Sequence, residues 1–344
     1  MLEIKEELKL LCETEGISGF ENKACQKAEQ LFQPYCDKTE RDTFGNVFAY
    51  RFSDQPQAKT ILLDAHIDQI GFLVTGILPG GFLRFTQVGG VDPRMLLGCE
   101  VKILANQPYY GIISCMPPHL LAAGEQDKAV PMHEMVIDTG LLDAEGKIKI
   151  GTPVVYGTEM CSLSADSITG KCLDDRAGVI ALLEVFKKLQ NVKLPYHLVA
   201  MISSQEEVTS LGASIGTYRL RPEYAIAVDV GHAKTPDTPA GKAFEFGGGP
   251  MIGMGPNLNT RLTKALIRTA KTEDIPYQLE VMEGATGTNA WDMQVIACGT
   301  AMGLVSIPLK YMHTQIETIR ISDLQTAADL IYHFLRNFDG EVRL

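Results

Sequence analysis

Carboxylate and imidazole side chains recur where predicted strands end or a predicted helix begins. Such oxygen and nitrogen donors bind Zn²⁺, Co²⁺ or Mn²⁺, and a carboxylate can also accept a proton from water as a general base. In open α/β sheets, the crevice beyond the carboxyl ends of the strands is the usual ligand site. Because clustered carboxylates repel one another without cations, the pattern predicts a divalent-metal site. Its candidate residues are His66, Asp68, Asp174, Glu206, Glu207, Asp229 and His313.

Each of these motifs is common by itself. A lone histidine after a strand can be hydrogen-bonded in the core, a Glu-Glu pair is usually solvated, and acidic residues often begin a helix. The inference therefore depends on their joint placement at successive strand ends. His66 and Asp68 face the same side of a strand, so the carboxylate can orient the imidazole. Glu206 and Glu207 would point oppositely in a strand, so the chain must leave the strand there for both to reach one site.

Hydrophobic periodicity predicts the elements that position these residues. Apolar residues at helical spacing predict a helix over residues 2–11, and the capping-box pattern of Ser18 and Glu21 predicts a second helix ending near residue 34. Short apolar runs predict buried strands at 46–51 and 59–66. After residue 164, strands at 196–203, 224–228 and 300–307 alternate with helices at 174–189, 211–220 and 257–272. We expect the strand at 224–228 to stop at Asp229 and the last helix to begin with Ser322 as its N-cap.

The middle of the chain has a different pattern of hydrophobic and turn residues. Between residues 70 and 163, short β-like runs are separated by turn residues and no helical periodicity occurs, which predicts a small all-β domain. Alternating helices and strands on either side indicate a sheet covered on both faces. We therefore predict an α/β fold with a mixed, mostly parallel sheet sandwiched by helices. Its catalytic domain comprises residues 1–69 and 164–344, and the β domain at 70–163 is inserted between them.

Composition narrows the class of function. The 344 residues are 45% hydrophobic, which is typical of a globular protein, and 42 acidic against 31 basic residues give a net charge of −11. Because so acidic a surface repels phosphate backbones, we expect no nucleic-acid partner. We also expect no signal peptide and no membrane span. Eight scattered cysteines without a C-x-x-C motif favour a reducing, cytoplasmic location.

The ordered set of motifs resembles the M42 family of dinuclear metallo-aminopeptidases, and the resemblance covers nearly the whole chain. The residues that carry it are His66-Ile-Asp68, Cys172-Leu-Asp-Asp-Arg-Ala-Gly178, Gln205-Glu-Glu207, Val228-Asp229 and Tyr311-Met-His313. The resemblance implies two divalent ions, zinc first with cobalt or manganese as alternatives, bridged by Asp174. It further implies that His66 and Asp229 complete one ion's ligands, and that Glu207 and His313 complete the other's.

The same resemblance implies a mechanism and an assembly. Glu206 matches the general base, which acts on a hydroxide that bridges the metals, and Asp68 matches the carboxylate that orients the first histidine. The substrates would be peptides that lose N-terminal residues. The inserted domain would be a PDZ-like β-barrel, and the protein a large homo-oligomer, often a hollow dodecamer built from dimers. Related dinuclear peptidases also have a cis peptide bond at the position of Asp174 and Asp175, which we predict here.

Several alternatives stay open at this level. A deacylase or carboxypeptidase of similar fold would need the same bridging carboxylate and Glu base, and a non-catalytic module could bind peptides beside a vestigial metal site. Glycoside hydrolysis needs two carboxylates but no metal cage. Residues 287–289 are expected to line the substrate cleft, although the family more often has Asp where Asn289 stands. His232, three residues after Asp229, is the other histidine of interest. The preferred N-terminal side chain does not follow from the sequence.

Overall fold

The computed structural model describes residues 2–121, 124, 128–236, 238–239 and 241–341. The helices of this part of the chain are α1 (Leu2–Cys12), α2 (Asn22–Phe32), α3 (Leu173–Leu189), α4 (Glu206–Thr209), α5 (Leu211–Leu220), α6 (Thr260–Thr272), α7 (Asn289–Met293) and α8 (Ile321–Asn337). The strands are β1 (Lys38–Arg41), β2 (Val47–Arg51), β3 (Thr60–His66), β4 (Gly71–Leu78), β5 (Phe82–Val88), β6 (Glu100–Leu104), β7 (Pro108–Ser114), β8 (Val136–Asp138), β9 (Pro153–Tyr156), β10 (Cys161–Ser162), β11 (Ser167–Gly170), β12 (His197–Ser203), β13 (Tyr224–His232), β14 (Met251–Met254), β15 (Gln278–Val281), β16 (Ala301–Lys310) and β17 (Glu317–Arg320).

A mixed sheet forms the centre of the larger domain. Eleven strands of the described chain belong to it, and its main path runs β1-β2-β12-β3-β13-β16-β17-β11-β10. The four central strands β12, β3, β13 and β16 are parallel neighbours, whereas pairing toward both ends of the path is antiparallel. β14 branches off β16 and carries β15 at its far side. The parallel centre brings the carboxyl ends of β3, β12 and β13 to one edge, where the candidate residues stand.

Helices cover both faces of this sheet. Along β3, the fully buried Ile61 and Leu63 join a cluster with residues of α1, α2, α3, α6 and α8, whereas Leu62 joins a cluster with residues of α5 and α7. Side chains of a strand alternate between faces, so the successive apolar residues 61–63 need cover on both faces. Each such side chain contributes about 1.5–3 kcal/mol on burial. The predicted α/β fold, with a mixed sheet between helices, is confirmed.

A closed antiparallel barrel interrupts this domain. Its strands follow the order β4-β5-β8-β7-β6-β9, and the first of them starts at Gly71, three residues after Asp68. The barrel has its own core, in which the Phe72 ring meets Phe85 and Tyr156 edge-on, with ring centroids 5.2 Å and 5.4 Å away. The predicted β-barrel insertion is thus present. The domain boundaries at 69/70 and 163/164 stay a prediction.

Three predicted element ends are wrong, each because a side chain or strand has a partner distant in sequence. Ser18 does not cap α2; its hydroxyl donates to Asp68, and the helix begins at Asn22. Ser322 is not the N-cap of α8, because the helix starts one residue earlier and the Ser322 hydroxyl donates to Asp166 over 2.7 Å. β13 does not stop before Asp229, since its pairing with β16 continues to residue 232.

No described helix combines the length and the hydrophobicity that crossing a lipid bilayer requires.

Candidate metal centre

Two groups of side chains with metal-ligating atoms meet at the carboxyl edge of the parallel strands. His66 ends β3, Asp229 lies in β13, and Asp174 stands in the irregular first turn of α3. One ligating atom from each of these three lies within 4.8 Å of the others. Asp174 forms a second such group with Glu207 and His313. The structure thus brings together all five side chains that the sequence proposed as metal ligands.

Asp174 is the member that both groups share. One of its carboxylate oxygens, Oδ1, lies 3.1 Å from His66 Nε2, and the other, Oδ2, lies 3.4 Å from His313 Nε2. The peptide bond between Asp174 and Asp175 is cis, as predicted. A carboxylate with one oxygen directed to each histidine has the arrangement that a bridging ligand requires.

Glu206 and Glu207 reach the same site because the chain leaves β12 before them. The strand ends at Ser203, Gln205 has a left-handed backbone (φ 58°), and α4 begins at Glu206. The Glu207 carboxylate lies 3.4 Å from His313 Nε2. The Glu206 carboxylate lies 3.9 Å from His66 Nε2 and belongs to neither group of ligating atoms among the described residues. This confirms the predicted departure from the strand and leaves the Glu206 carboxylate beside the two groups of ligating atoms.

Burial makes this cluster of carboxylates electrostatically unfavourable without cations. Burial raises the pKa of Glu206 to about 7 and raises the pKa of Glu207 and Asp229 well above the usual range, and the neighbouring Asp174 raises each further. Burial lowers the pKa of His66, but its hydrogen bonds to Asp174 and Asp68 outweigh this and raise it. Charged groups in a low-dielectric site are stable only when opposite charge compensates them. The site is therefore suited to cations.

Residues 45–330 match the family described as M42 glutamyl aminopeptidase. The chain belongs to this family. It is 30% identical to the lysyl aminopeptidase of Pyrococcus furiosus over 94% of each chain. Its fold matches the TET aminopeptidase of Thaumarchaeota archaeon SCGC AB-539-E09 with a TM-score of 0.93 and 28% identity, covering 98% of this chain and 97% of the other. The TET1 peptidase of Pyrococcus horikoshii, described as assembling into a tetrahedron or a large octahedral shell, matches with a TM-score of 0.85 and 28% identity, over 97% of this chain and all of that one.

In this M42 chain, Asp68 contacts four groups at once. Its carboxylate accepts the backbone N–H of Glu206 over 2.9 Å and that of Glu207 over 3.1 Å, and it accepts the Ser18 hydroxyl. His66 Nδ1 lies 3.4 Å from the same carboxylate. Asp68 is fully buried, and its pKa is lowered despite burial, because His66 and these hydrogen bonds stabilise its charged form. The predicted orienting residue therefore also holds the segment that carries the proposed base.

Two further buried carboxylates support the M42 site in ways that the sequence did not indicate. Glu317 accepts the backbone N–H of Asp174 over 3.1 Å and that of His313 over 3.0 Å. Asp175 accepts the backbone N–H of His66 over 3.3 Å. A glutamate four residues after the candidate histidine is the only sequence signal for Glu317, and its role becomes visible only when β17 is paired with β16.

A cleft of about 640 Å³ opens over the M42 site, within the size range of ligand pockets. The barrel domain contributes to its rim through Gly90, where a Cβ atom would lie only 2.8 Å from His313 Nδ1. Gly287 and Thr288 line the cleft as predicted, and His232 does too. The prediction that Asn289 lines the cleft is wrong, because its side chain is buried and donates to Asp64 over 2.9 Å.

Proposed function

We propose that this protein is a metal-dependent aminopeptidase that removes N-terminal residues from peptides. The observation that carries the proposal is the position of Asp174, whose two carboxylate oxygens face the two groups of ligating side chains. Membership of the M42 family supports the reaction class. The family is described as a glutamyl aminopeptidase, whereas the Pyrococcus furiosus relative is a lysyl aminopeptidase. The preferred N-terminal residue of the substrate therefore has to be inferred from the cleft.

The residues present fit a pair of divalent ions. His66, Asp174 and Asp229 would hold one ion, and Asp174, Glu207 and His313 the other. The donor set contains nitrogen and oxygen atoms and no thiolate, which suits Zn²⁺, with Co²⁺ or Mn²⁺ as alternatives. Two divalent cations would also compensate the negative charge that burial makes costly.

In the proposed mechanism, Glu206 moves the proton. When bound, the ions supply Lewis acidity, which lowers the pKa of a water and polarises the scissile carbonyl. The Glu206 carboxylate accepts the proton of the attacking water and transfers it to the leaving amine. The Asp68 carboxylate accepts the backbone N–H of Glu206, which holds that residue in place, and it keeps the His66 imidazole oriented. Both functions require Asp68 to stay ionised, which its lowered pKa favours.

The experiment that tests this function compares a free peptide with its N-acetylated form, using protein loaded with Zn²⁺, Co²⁺ or Mn²⁺ and mass spectrometry of the products. We expect the free peptide to lose residues one at a time from its N-terminus and the acetylated peptide to stay intact. Cleavage of the acetylated form alone would identify a deacylase. If neither peptide were cleaved with any of the metals, the result would favour a non-catalytic protein that binds peptides beside a vestigial metal site.

We also propose a homo-oligomer, with the dodecamer as the first candidate. The support is the likeness to the Pyrococcus horikoshii peptidase, which is described as assembling into a tetrahedron or a large octahedral shell. Multi-angle light scattering of the full chain at low micromolar concentration is expected to give a mass many times that of one 37.6 kDa chain. A mass equal to one chain across that concentration range would refute the assembly without affecting the proposed chemistry.

A further inference from the structure

A half-buried carboxylate outside the proposed metal site lines the same cleft. Glu280 lies on β15 and accepts the hydroxyl of Ser306 over 3.0 Å. Ser306 on β16 is the register partner of Asp229 on β13. Neighbouring strands lie about 4.8 Å apart. Glu280 is therefore one hydrogen bond from Ser306, which in turn lies one strand spacing from the proposed metal ligand Asp229. The carboxylate is therefore close enough to meet part of a substrate bound at the metals.

No cation of the described chain compensates Glu280. Its only hydrogen-bond partner among the described residues is Ser306, and it forms no ion pair with any of them. Burial raises the pKa of Glu280, while the Ser306 hydroxyl lowers it. A half-buried carboxylate whose single partner is neutral is stabilised when a cation approaches it. This is the opposite of what a pocket for an acidic side chain would need.

The lining of the cleft suits a long cationic side chain. Met282, Trp291 and Met312 offer apolar surface along it, and none of the described residues that line it is Lys or Arg. Asp292 adds a second carboxylate to the lining. Lys and Arg combine an apolar stem with a charged head, which matches this sequence of surfaces.

We propose that Glu280 determines specificity by binding the cationic side chain of an N-terminal Lys or Arg residue of the peptide. The proposal rests on the proposed aminopeptidase function, because that reaction places the N-terminal residue beside the metals. An N-terminal Glu or Asp side chain would meet the Glu280 and Asp292 carboxylates and no Lys or Arg side chain, so it is repelled. Neutral residues such as Leu contact the apolar walls and fall between these extremes.

Initial-rate kinetics of the zinc-loaded full chain on the p-nitroanilides of Lys, Arg, Leu and Glu test this. We expect kcat/KM to be highest for Lys and Arg and lowest for Glu. Glu280→Gln should lower the ratio of kcat/KM for Lys to that for Leu by about tenfold or more, because a charge-assisted hydrogen bond is lost. Glu280→Lys should make Glu a better substrate than Lys. The control is Glu283→Gln, which removes the same charge from an exposed neighbour that does not line the cleft and should leave all ratios unchanged.

The outcomes separate this proposal from the proposed function. If no aminoacyl substrate is cleaved, the aminopeptidase function fails. If Leu is cleaved but Lys and Glu are cleaved equally well, or if Glu280→Gln leaves the Lys-to-Leu ratio unchanged, the role of Glu280 is overturned while the function stands. Thermal unfolding of each variant reports whether it folds. Glu280→Met, which also removes the charge, must produce the same loss of ratio if the Gln variant does not fold.

Discussion

Glu206→Gln is expected to lower kcat by a factor on the order of 10²–10⁴ while the protein keeps its bound metal. Glutamine has nearly the same shape as glutamate but cannot accept a proton from water. The Glu206 carboxylate lies 3.9 Å from His66 Nε2, yet it is in neither group of ligating atoms, so the variant leaves the proposed ligands intact. Its backbone N–H still donates to Asp68, so the segment should hold its position. The measurements are steady-state kinetics on an aminoacyl-p-nitroanilide and metal content by inductively coupled plasma mass spectrometry.

The matched control for this variant is Glu283→Gln, an exposed glutamate away from the cleft, which should have the activity of the unmodified protein. Loss of both activity and metal in Glu206→Gln would instead place Glu206 among the ligands. Unchanged kcat would exclude it as the base and direct attention to another carboxylate of the site.

Asp174→Asn should have the larger effect, because it removes charge and ligand strength from the one side chain that both groups share. We expect the unmodified protein to hold two ions per chain, and the variant to retain less than one and to lose activity to background. His66 and His313 would each lose the negative charge of Asp174, whose carboxylate oxygens lie 3.1 Å and 3.4 Å from their Nε2 atoms. Metal content after gel filtration and kinetics at rising Zn²⁺ concentration measure both effects.

Asp54→Asn is the control for this substitution, since Asp54 is an exposed residue paired with Lys193 on the surface, where an ion pair contributes little. It should keep full metal content and activity. A version of Asp174→Asn that still bound two ions per chain would contradict the bridging role, whatever its activity. Retention of one ion with partial activity would show that a single group suffices.

The parts of the fold that follow from local pattern could be predicted from the sequence. Residues 61–63 of β3 are apolar at successive positions, as a strand covered on both faces requires, and polar residues mark its carboxyl end. The candidate ligands were predictable for the same reason, because successive strand ends in a parallel sheet lie side by side. The departure of the chain from β12 before Glu206 follows from Glu206 and Glu207 both having to reach one site.

Features that depend on pairing distant in sequence could not be predicted. The Ser18 hydroxyl had a local use as a helix cap, but the buried Asp68 is the partner it has in the fold. Asp229 lies within β13 because β16 extends the pairing beyond it. Glu317 and Glu280 carry no motif of their own, and β15 has only four residues at the far side of a branch. Their roles appear only when three or more strands are assembled around them.

Anomalous diffraction from crystals of the metal-loaded protein tests directly whether the proposed ligands hold two ions that share Asp174. Data collected above and below the zinc absorption edge locate the ions independently of any activity. We expect two anomalous-difference peaks per chain. One should lie at His66, Asp174 and Asp229, and the other at Asp174, Glu207 and His313. Each peak should lie about 2.0–2.2 Å from its ligand atoms. Well-diffracting, zinc-saturated crystals with no peak beside Asp174, or with zinc bound only elsewhere, would contradict this two-ion site.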